Sequence, residues 1–425
     1  MNRRQWLRGS AMAATASTLA FPTIVSSDVL AAPGRPGAND RIQLGFIGLG
    51  GRARWNLTGE ALPGAEVVAG ADCYLPRCHE TAKAVPGADK WKLYQNYRVM
   101  LEKEKLDAVF VETTTHARVL ICTHVLQSGR DVYCEKPMSL TVAEGRYLTC
   151  AAKKYNRVLQ VGSQQRSMPI NQHASKLVRE GAIGKIHTVI TYNFEPGMGW
   201  TPRMPEPIPS GLDWNEWCNQ AELRPYHHDL QFGWGNYIDY DTGGQSWGVT
   251  GWGTHSLDQV QCALGTDTTG PVEIGPEEAG QFAKVTARFA NGTLLKLEGK
   301  KRSQASGLGA IFVGEHGRIE IKRGSFTADP ADLLKGAPPD TKEGRGESIA
   351  HIQNFFDCVR GRKTPTACAE TGHRATTLCH LVNICRIVGR KLYWDPVGEK
   401  FVGDDQANLL LARPRRKGFE LPKLS

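Results

Sequence analysis

The sequence predicts an α/β protein in two parts: a doubly wound parallel sheet near the N-terminus, then an α+β part with a large, open, mostly antiparallel sheet. Three observations carry this. The 425 residues exceed what one hydrophobic core usually organises, so two domains of roughly 100 to 200 residues are expected. From Arg41 onward, short apolar runs alternate with amphipathic segments, as in parallel strands joined by crossover helices. From Lys185 the pattern changes to period-two alternation with hairpin turns. An apolar fraction of 40% with 22% charge is that of neither a disordered chain nor a membrane protein. A formal charge of +9 is modest for this length, so nucleic acid is not an expected partner. The one basic run, Arg413-Pro414-Arg415-Arg416-Lys417, reads as a solvated tail within residues 401–425.

Residues 1–32 read as a targeting signal: Arg3, Arg4 and Arg8, an apolar run from Ala11 to Val25, then small residues ending Leu30-Ala31-Ala32. Asn2-Arg3-Arg4-Gln5-Trp6-Leu7-Arg8 resembles a twin-arginine signal, whose export machinery carries folded proteins to the periplasm. The apolar run is short of the about 20 residues that span a bilayer, so no stable membrane insertion is expected. Eleven cysteines are scattered without a Cys-x-x-Cys pair, which suggests buried thiols rather than a disulfide framework or zinc site.

The first domain, residues 41–165, has candidate strands at Ile42–Gly48, Val67–Ala71, Asp107–Val111, Asp131–Cys134 and Val158–Gly162. Thr141-Val142-Ala143-Glu144 is a capping box that opens a helix running to about Tyr155. Between the first strand and its helix stands Gly48-Leu49-Gly50-Gly51-Arg52-Ala53, a G-x-G-x-x-A turn. Gly48 allows the tight turn, Gly50 the approach of a pyrophosphate, and Ala53 close packing of helix on strand. The free amides of the helix N-terminus suit phosphates. Asp72 closes the second strand, where a carboxylate accepts from the adenosine ribose hydroxyls and repels a 2′-phosphate. This Rossmann pattern predicts NAD in preference to NADP, although Arg77 nearby could tolerate a phosphate.

Glu135-Lys136-Pro137 follows the strand Asp131–Cys134, at the sheet edge where open α/β sheets bind ligands. The glycine turn and this tripeptide together resemble the glucose-fructose oxidoreductase, inositol dehydrogenase and rhizopine catabolism (Gfo/Idh/MocA) family. The resemblance extends to Val161-Gly162-Ser163-Gln164-Gln165-Arg166, Asp213-Trp214-Asn215-Glu216-Trp217, Trp252-Gly253-Thr254-His255, Gly372-His373-Arg374 and the run Gly389 to Pro396, in the manner of exported bacterial members. It implies that Lys136 is the catalytic or substrate-orienting lysine, that the bond before Pro137 is cis, and that His255 faces the nicotinamide and handles the hydroxyl proton. It places Thr113, His116, Glu135 and Gln164 with Gly48, Gly50, Gly51, Arg52, Ala53 and Asp72 at the cofactor. Arg166, Trp234, Tyr237, Asp241 and Trp252 join Lys136 and His255 at the substrate. The sequence departs from the family at Gly251, where an aspartate often stands four residues before the histidine. Asp239 or Asp241 could supply that carboxylate, or remain turn residues.

In the second domain, residues 166–400, strands are expected at Lys185–Phe194, Ala283–Ala290 and Thr293–Glu298, the last two joined by Asn291-Gly292. A further hairpin spans Ala310 to Lys322 around Glu315-His316-Gly317. A polar linker follows from Ala328 to Gly346, then helices near Ser348–Arg360 and Glu370–Val388. Six of the ten tryptophans lie between Trp200 and Trp252; they read equally as a sugar-binding loop or as a core or subunit contact. His227, His228 and Asp229 lack a spaced further ligand, and adjacent histidines point apart on a strand, so no metal is expected.

The leading expectation is hydride transfer between a tightly bound NAD and a sugar, polyol or glycoside hydroxyl carbon. A glycosidase working by transient oxidation and elimination is the alternative, and a non-catalytic sugar-binding protein the third. The family implies a homodimer or homotetramer.

Overall fold

The computed structural model describes residues 37, 40–59, 62, 64–245, 247–299, 308–342, 344 and 346–424. Residues 1–32, expected to be a targeting signal, lie outside the described residues. The first sheet has six parallel strands, β1 (Ile42–Ile47), β2 (Ala65–Ala71), β3 (Lys92–Tyr94), β4 (Ala108–Val111), β5 (Asp131–Cys134) and β6 (Leu159–Val161), in the order β3-β2-β1-β4-β5-β6. β4 and β5 are buried along their whole length, as parallel strands covered on both faces must be. The order reverses beside β1, which creates the crevice at the carboxyl ends of β1 and β4. β3 is an addition to the expected strands; three residues starting with an exposed Lys92 give little periodicity to read.

The crossover helices are α1 (Gly51–Gly59), α2 (Leu75–Ala84), α3 (Tyr97–Lys103), α4 (Thr115–Gln127) and α5 (Val142–Lys154). At the start of α5 only half of the expected capping box forms. Thr141 Oγ1 accepts from Glu144 N–H at 3.3 Å, whereas Glu144 Oε2 accepts from Leu140 N–H at 3.2 Å and the other oxygen pairs with Arg415.

After α6 (Pro169–Arg179), the second sheet begins with β7 (Ile186–Tyr192). Short helices α7 (Trp214–Cys218) and α8 (His228–Gly233) and the long α9 (Trp252–Leu264) precede β8 (Pro271–Pro276), β9 (Val285–Phe289), β10 (Leu294–Gly299), β11 (Ala310–Gly314), β12 (Gly317–Lys322) and β13 (Ser325–Asp329). Then come α10 (Ile349–Gly361), α11 (Ala369–Val388), β14 (Leu392–Asp395), β15 (Lys400–Phe401) and α12 (Asp405–Leu409). The strands order as β13-β12-β11-β7-β10-β9-β8-β14-β15, antiparallel except for β7 against β10. Gly292, at φ 91°, makes the expected β9–β10 turn. The residues read as the start of a linker, Ala328 and Asp329, instead end the edge strand β13.

One face of the nine-stranded sheet packs on α6, α9 and α11, around Val189, Leu257, Leu295, Phe312 and Leu381. α10 packs elsewhere: Ile352, Phe355 and Phe356 enter the core of the parallel sheet with Phe46, Phe110 and Tyr133. The basic C-terminal run is not a solvated tail. Arg415 pairs with Glu144 and donates to Gln220 Oε1 at 2.7 Å, and Arg416 donates to Asn215 Oδ1 at 2.6 Å and Asn219 O at 3.0 Å. Leu421 and Leu424 pack on the first domain's core. All eleven cysteines are free.

Candidate active site

Gly48 adopts φ 86°, and a Cβ there would stand 2.9 Å from the backbone of Glu112 and Thr113. Only glycine fits the close approach of β1's end to β4's end. A Cβ on Gly50 or Gly51 would meet nothing within 4 Å, because both face an open cavity. Its lining includes Arg52, Asp72, Arg77, Thr113, Thr114, Trp217 and Trp234. Ala53 is fully buried beneath the turn and packs rather than lines. Asp72 Oδ2 accepts from Leu49 N–H and Oδ1 from Tyr74 N–H, both at 2.9 Å, with Arg77 Nη1 3.4 Å from each oxygen. The carboxylate therefore also braces the glycine turn.

A dinucleotide fits what these residues leave open. Arg52 Nη2, Glu112 Oε2 and Thr113 Oγ1 are buried without hydrogen-bond partners, and such groups are normally satisfied. The helix N-terminus at Gly51 opens onto the same space.

A second cavity shares Arg52, Glu112, Thr113 and Trp234 with the first. It is further lined by Arg118, Glu135, Lys136, Gln164, Asp241, Trp252, His255, Arg323 and Glu347. Lys136 precedes Pro137 in a cis peptide, and its Nζ donates to Gly251 O at 3.2 Å. Desolvation lowers the Lys136 ammonium against the opposing pull of Glu135 and Asp241. Burial holds His255 neutral, far below the usual imidazole range, with Lys136 and Arg323 adding to the effect; its Nδ1 is buried without a partner. Asp241 accepts from Thr250 Oγ1 at 2.8 Å and Thr115 Oγ1 at 3.0 Å, and burial raises its carboxyl to about 7.

Asp241, not Asp239, is thus the carboxylate beside the lysine. Asp239 lies outside the cavity lining, paired with Arg224 at 2.7 Å. Position 251 has no room for a side chain: a Cβ there would stand 2.0 Å from Gln245 O.

Three other expected residues sit elsewhere. His116 is buried behind the cofactor cavity, its Nε2 2.8 Å from Trp217 O, because α4 turns it toward the aromatic segment. Arg166 is buried between Asp258 at 2.8 Å and Asp267 at 2.7 Å, in a separate pocket. Tyr237 packs edge-on against Trp200 rather than lining either cavity. The aromatic segment divides between both readings: Trp214, Tyr226, Tyr237 and Tyr240 form a small core, while Trp217, Trp234 and Trp252 reach the cavities.

The sequence reading missed Glu112 and Arg118. Glu112 was visible as a carboxylate ending a wholly apolar strand, and Arg118 as a lone charge on the apolar run of α4. The Arg118 guanidinium donates to the carbonyls of Thr113 and Pro137 and so ties the end of β4 to the loop carrying Lys136. His227 and His228 do not point apart: His227 caps α8, the rings stack at 4.7 Å, and Glu206 joins them. His227 Nδ1 accepts from Asp229 N–H at 3.1 Å, which occupies one of that ring's two ligand atoms.

A crevice at the glycine turn thus lies beside a second cavity lined from both parts of the chain. Residues 42–163 match the oxidoreductase family NAD-binding Rossmann fold, and residues 151–421 match that family's C-terminal alpha/beta domain. The chain belongs to the Gfo/Idh/MocA oxidoreductase family. It is 32% identical over 123 residues to D-apiose dehydrogenase of Paraburkholderia graminis, covering 29% of this chain and 32% of that one. It is 27% identical over 125 residues to scyllo-inositol 2-dehydrogenase (NAD(+)) of Bacillus subtilis, covering 29% and 36%. These matches span about a third of each relative's length. Among solved structures, the aldose-aldose oxidoreductase from Caulobacter crescentus complexed with glycerol aligns with a TM-score of 0.57 at 18% identity, over 83% of this chain and 99% of that one. The WlbA dehydrogenase from Bordetella pertussis, in complex with NADH and UDP-GlcNAcA, aligns with 0.58 at 16%, over 84% and 99%. At these identities the likeness is one of fold.

Proposed function

We propose that this chain oxidises or reduces a hydroxyl-bearing carbon of a sugar, polyol or glycoside with a tightly held NAD. The observation that carries this is a pair of adjacent cavities that share Arg52, Glu112, Thr113 and Trp234 in their walls, one built on the glycine turn and the other on Lys136, Asp241 and His255. Gly50, Gly51, Arg52, Thr113 and Trp217 would hold the dinucleotide, and Asp72, already braced by two amides and Arg77, favours NAD over NADP at its ribose end. When bound, the nicotinamide supplies a hydride acceptor or donor.

The chain's own residues manage the proton and the substrate. The neutral His255 ring takes the hydroxyl proton as a base. Lys136 donates to the substrate oxygen; burial lowers its ammonium, and the Glu135 and Asp241 carboxylates oppose that shift. Trp234 and Trp252 offer flat faces to the C–H face of a sugar ring.

One observation favours a second reading, in which transient oxidation of a ring hydroxyl is followed by elimination that breaks the glycosidic bond, addition of water to the double bond so formed, and return of the hydride to the ketone. Besides His255, the cavity holds Asp241, whose carboxyl titrates at about 7, so an acid and a base are available for elimination. Recycling the cofactor in place also suits export through a twin-arginine signal, and assembly as a homodimer or homotetramer is part of the same proposal.

Protein purified without added nucleotide and incubated with a panel of sugars, polyols and glycosides separates the readings. NADH absorbance growing with supplied NAD supports the dehydrogenase. Aglycone released without net NADH supports the glycosidase, and neither product on a broad panel supports binding alone. Lys136→Ala is expected to lower turnover by roughly 10²- to 10⁴-fold; unchanged turnover would remove Lys136 from the reaction.

A further inference from the structure

Glu112 directly follows β4 and lines both cavities. Its Oε1 accepts from Asn56 Nδ2 at 2.6 Å, while Oε2 is buried without a partner. Neither nearby guanidinium is hydrogen-bonded to it: Arg52 Nε donates to Glu135 Oε1 at 2.9 Å, and Arg118 donates to the carbonyls of Thr113 and Pro137. Glu112 and Glu135 therefore lie together in a buried space that must also receive a doubly charged pyrophosphate.

We propose that Glu112 is a cofactor-recognition residue that works as a carboxylic acid, its Oε2 hydroxyl donating to the dinucleotide, so that cofactor binding keeps or takes up one proton. This rests on the reading that the cavity holds a nicotinamide dinucleotide.

The surroundings of Glu112 favour that protonation state. Facing it are Arg52 and Asn56 from α1, Glu135 and Tyr133 from β5 and its end, and Arg118 from α4. Burial, then the Glu135 carboxylate, push the Glu112 carboxyl well above the usual range, against Arg52, Asn56 and Arg118. Glu135 stays ionised because Arg52 and Lys136 outweigh its burial. Asn56 fixes Oε1 as the acceptor, which leaves the proton on Oε2, the atom without a partner. A charged Glu112 would instead place a third negative charge beside the phosphates.

The sign follows from linkage. A group protonated in the complex costs nothing below its free-state pKa and weakens binding by about tenfold per pH unit above it. NADH titrations of the nucleotide-free protein by calorimetry, in alkaline buffers of different ionisation enthalpy, count the protons exchanged. Wild type is expected to take up one proton in alkaline buffer and lose affinity as pH rises. Glu112→Gln, which keeps an acceptor for Asn56 and a donor toward the cavity, is expected to bind with a flat pH dependence in that range and to lack that proton. Alkaline binding by wild type without proton uptake would overturn the proposal, as would an unchanged pH slope in Glu112→Gln, which would assign the proton to another group such as Lys136. Absence of NADH binding at every pH, in both proteins, would overturn the cofactor reading itself.

Discussion

Position 251 is where the chain departs from its family's residue pattern, and packing explains how it does so. The α9 N-terminus presses against Gln245 and Gly244 so closely that no Cβ fits, and the carboxylate comes from Asp241, ten residues earlier in the chain. Restoring the family's aspartate by Gly251→Asp is therefore expected to cost stability, about 1–3 kcal/mol or more from overpacking, with no gain in activity; denaturation and turnover measured together check this. Asp241 gives a pH signature. Its carboxyl titrates at about 7, so it is neutral below that value and supports a charged Lys136 above it. Wild-type kcat/KM is expected to rise with pH through an apparent pKa near that value, and Asp241→Asn is expected to lose that limb and keep a low, flat rate. An identical profile in the variant would show that Asp241 does not act on Lys136.

At the level of elements, the features legible in the sequence are those encoded within one short segment. The glycine turn, Asp72 and Glu135-Lys136-Pro137 each follow a strand, and the carboxyl ends of parallel strands converge on one edge. What escaped the sequence depends on contacts between distant segments. Lys136 meets Gly251 across 115 positions, so nothing local distinguishes Asp241 from Asp239. His116 follows a strand just as Thr113 does, yet one further turn of α4 carries it behind the cavity wall. The C-terminal run reads as solvated because its arginines find their acceptors only in the folded protein. Arg415 sits against the buried Glu144; Arg415→Ala leaves that carboxyl without its cation and is expected to cost roughly 3 kcal/mol in chemical denaturation. A change close to zero would mean that the pair is dispensable.

For the molecule as a whole, the two sheets divide the work. The parallel sheet supplies the glycine turn and Lys136; the second domain supplies Asp241, Trp252 and His255 from the segment leading into α9 and from α9 itself. The C-terminal segment binds this arrangement together, holding Asn215 and Asn219 on either side of Trp217, which walls the cofactor cavity. Such a wall suits a cofactor that stays in place through many turnovers. If the two adjacent cavities set a dinucleotide from the glycine turn against Lys136, Asp241 and His255, a crystal structure of the protein with NAD shows it most directly: the pyrophosphate is expected over Gly50 and Gly51, and the nicotinamide beside Thr113 and Trp234, facing Lys136 and His255. A dinucleotide bound elsewhere, or a nicotinamide turned away from those two side chains, would contradict it.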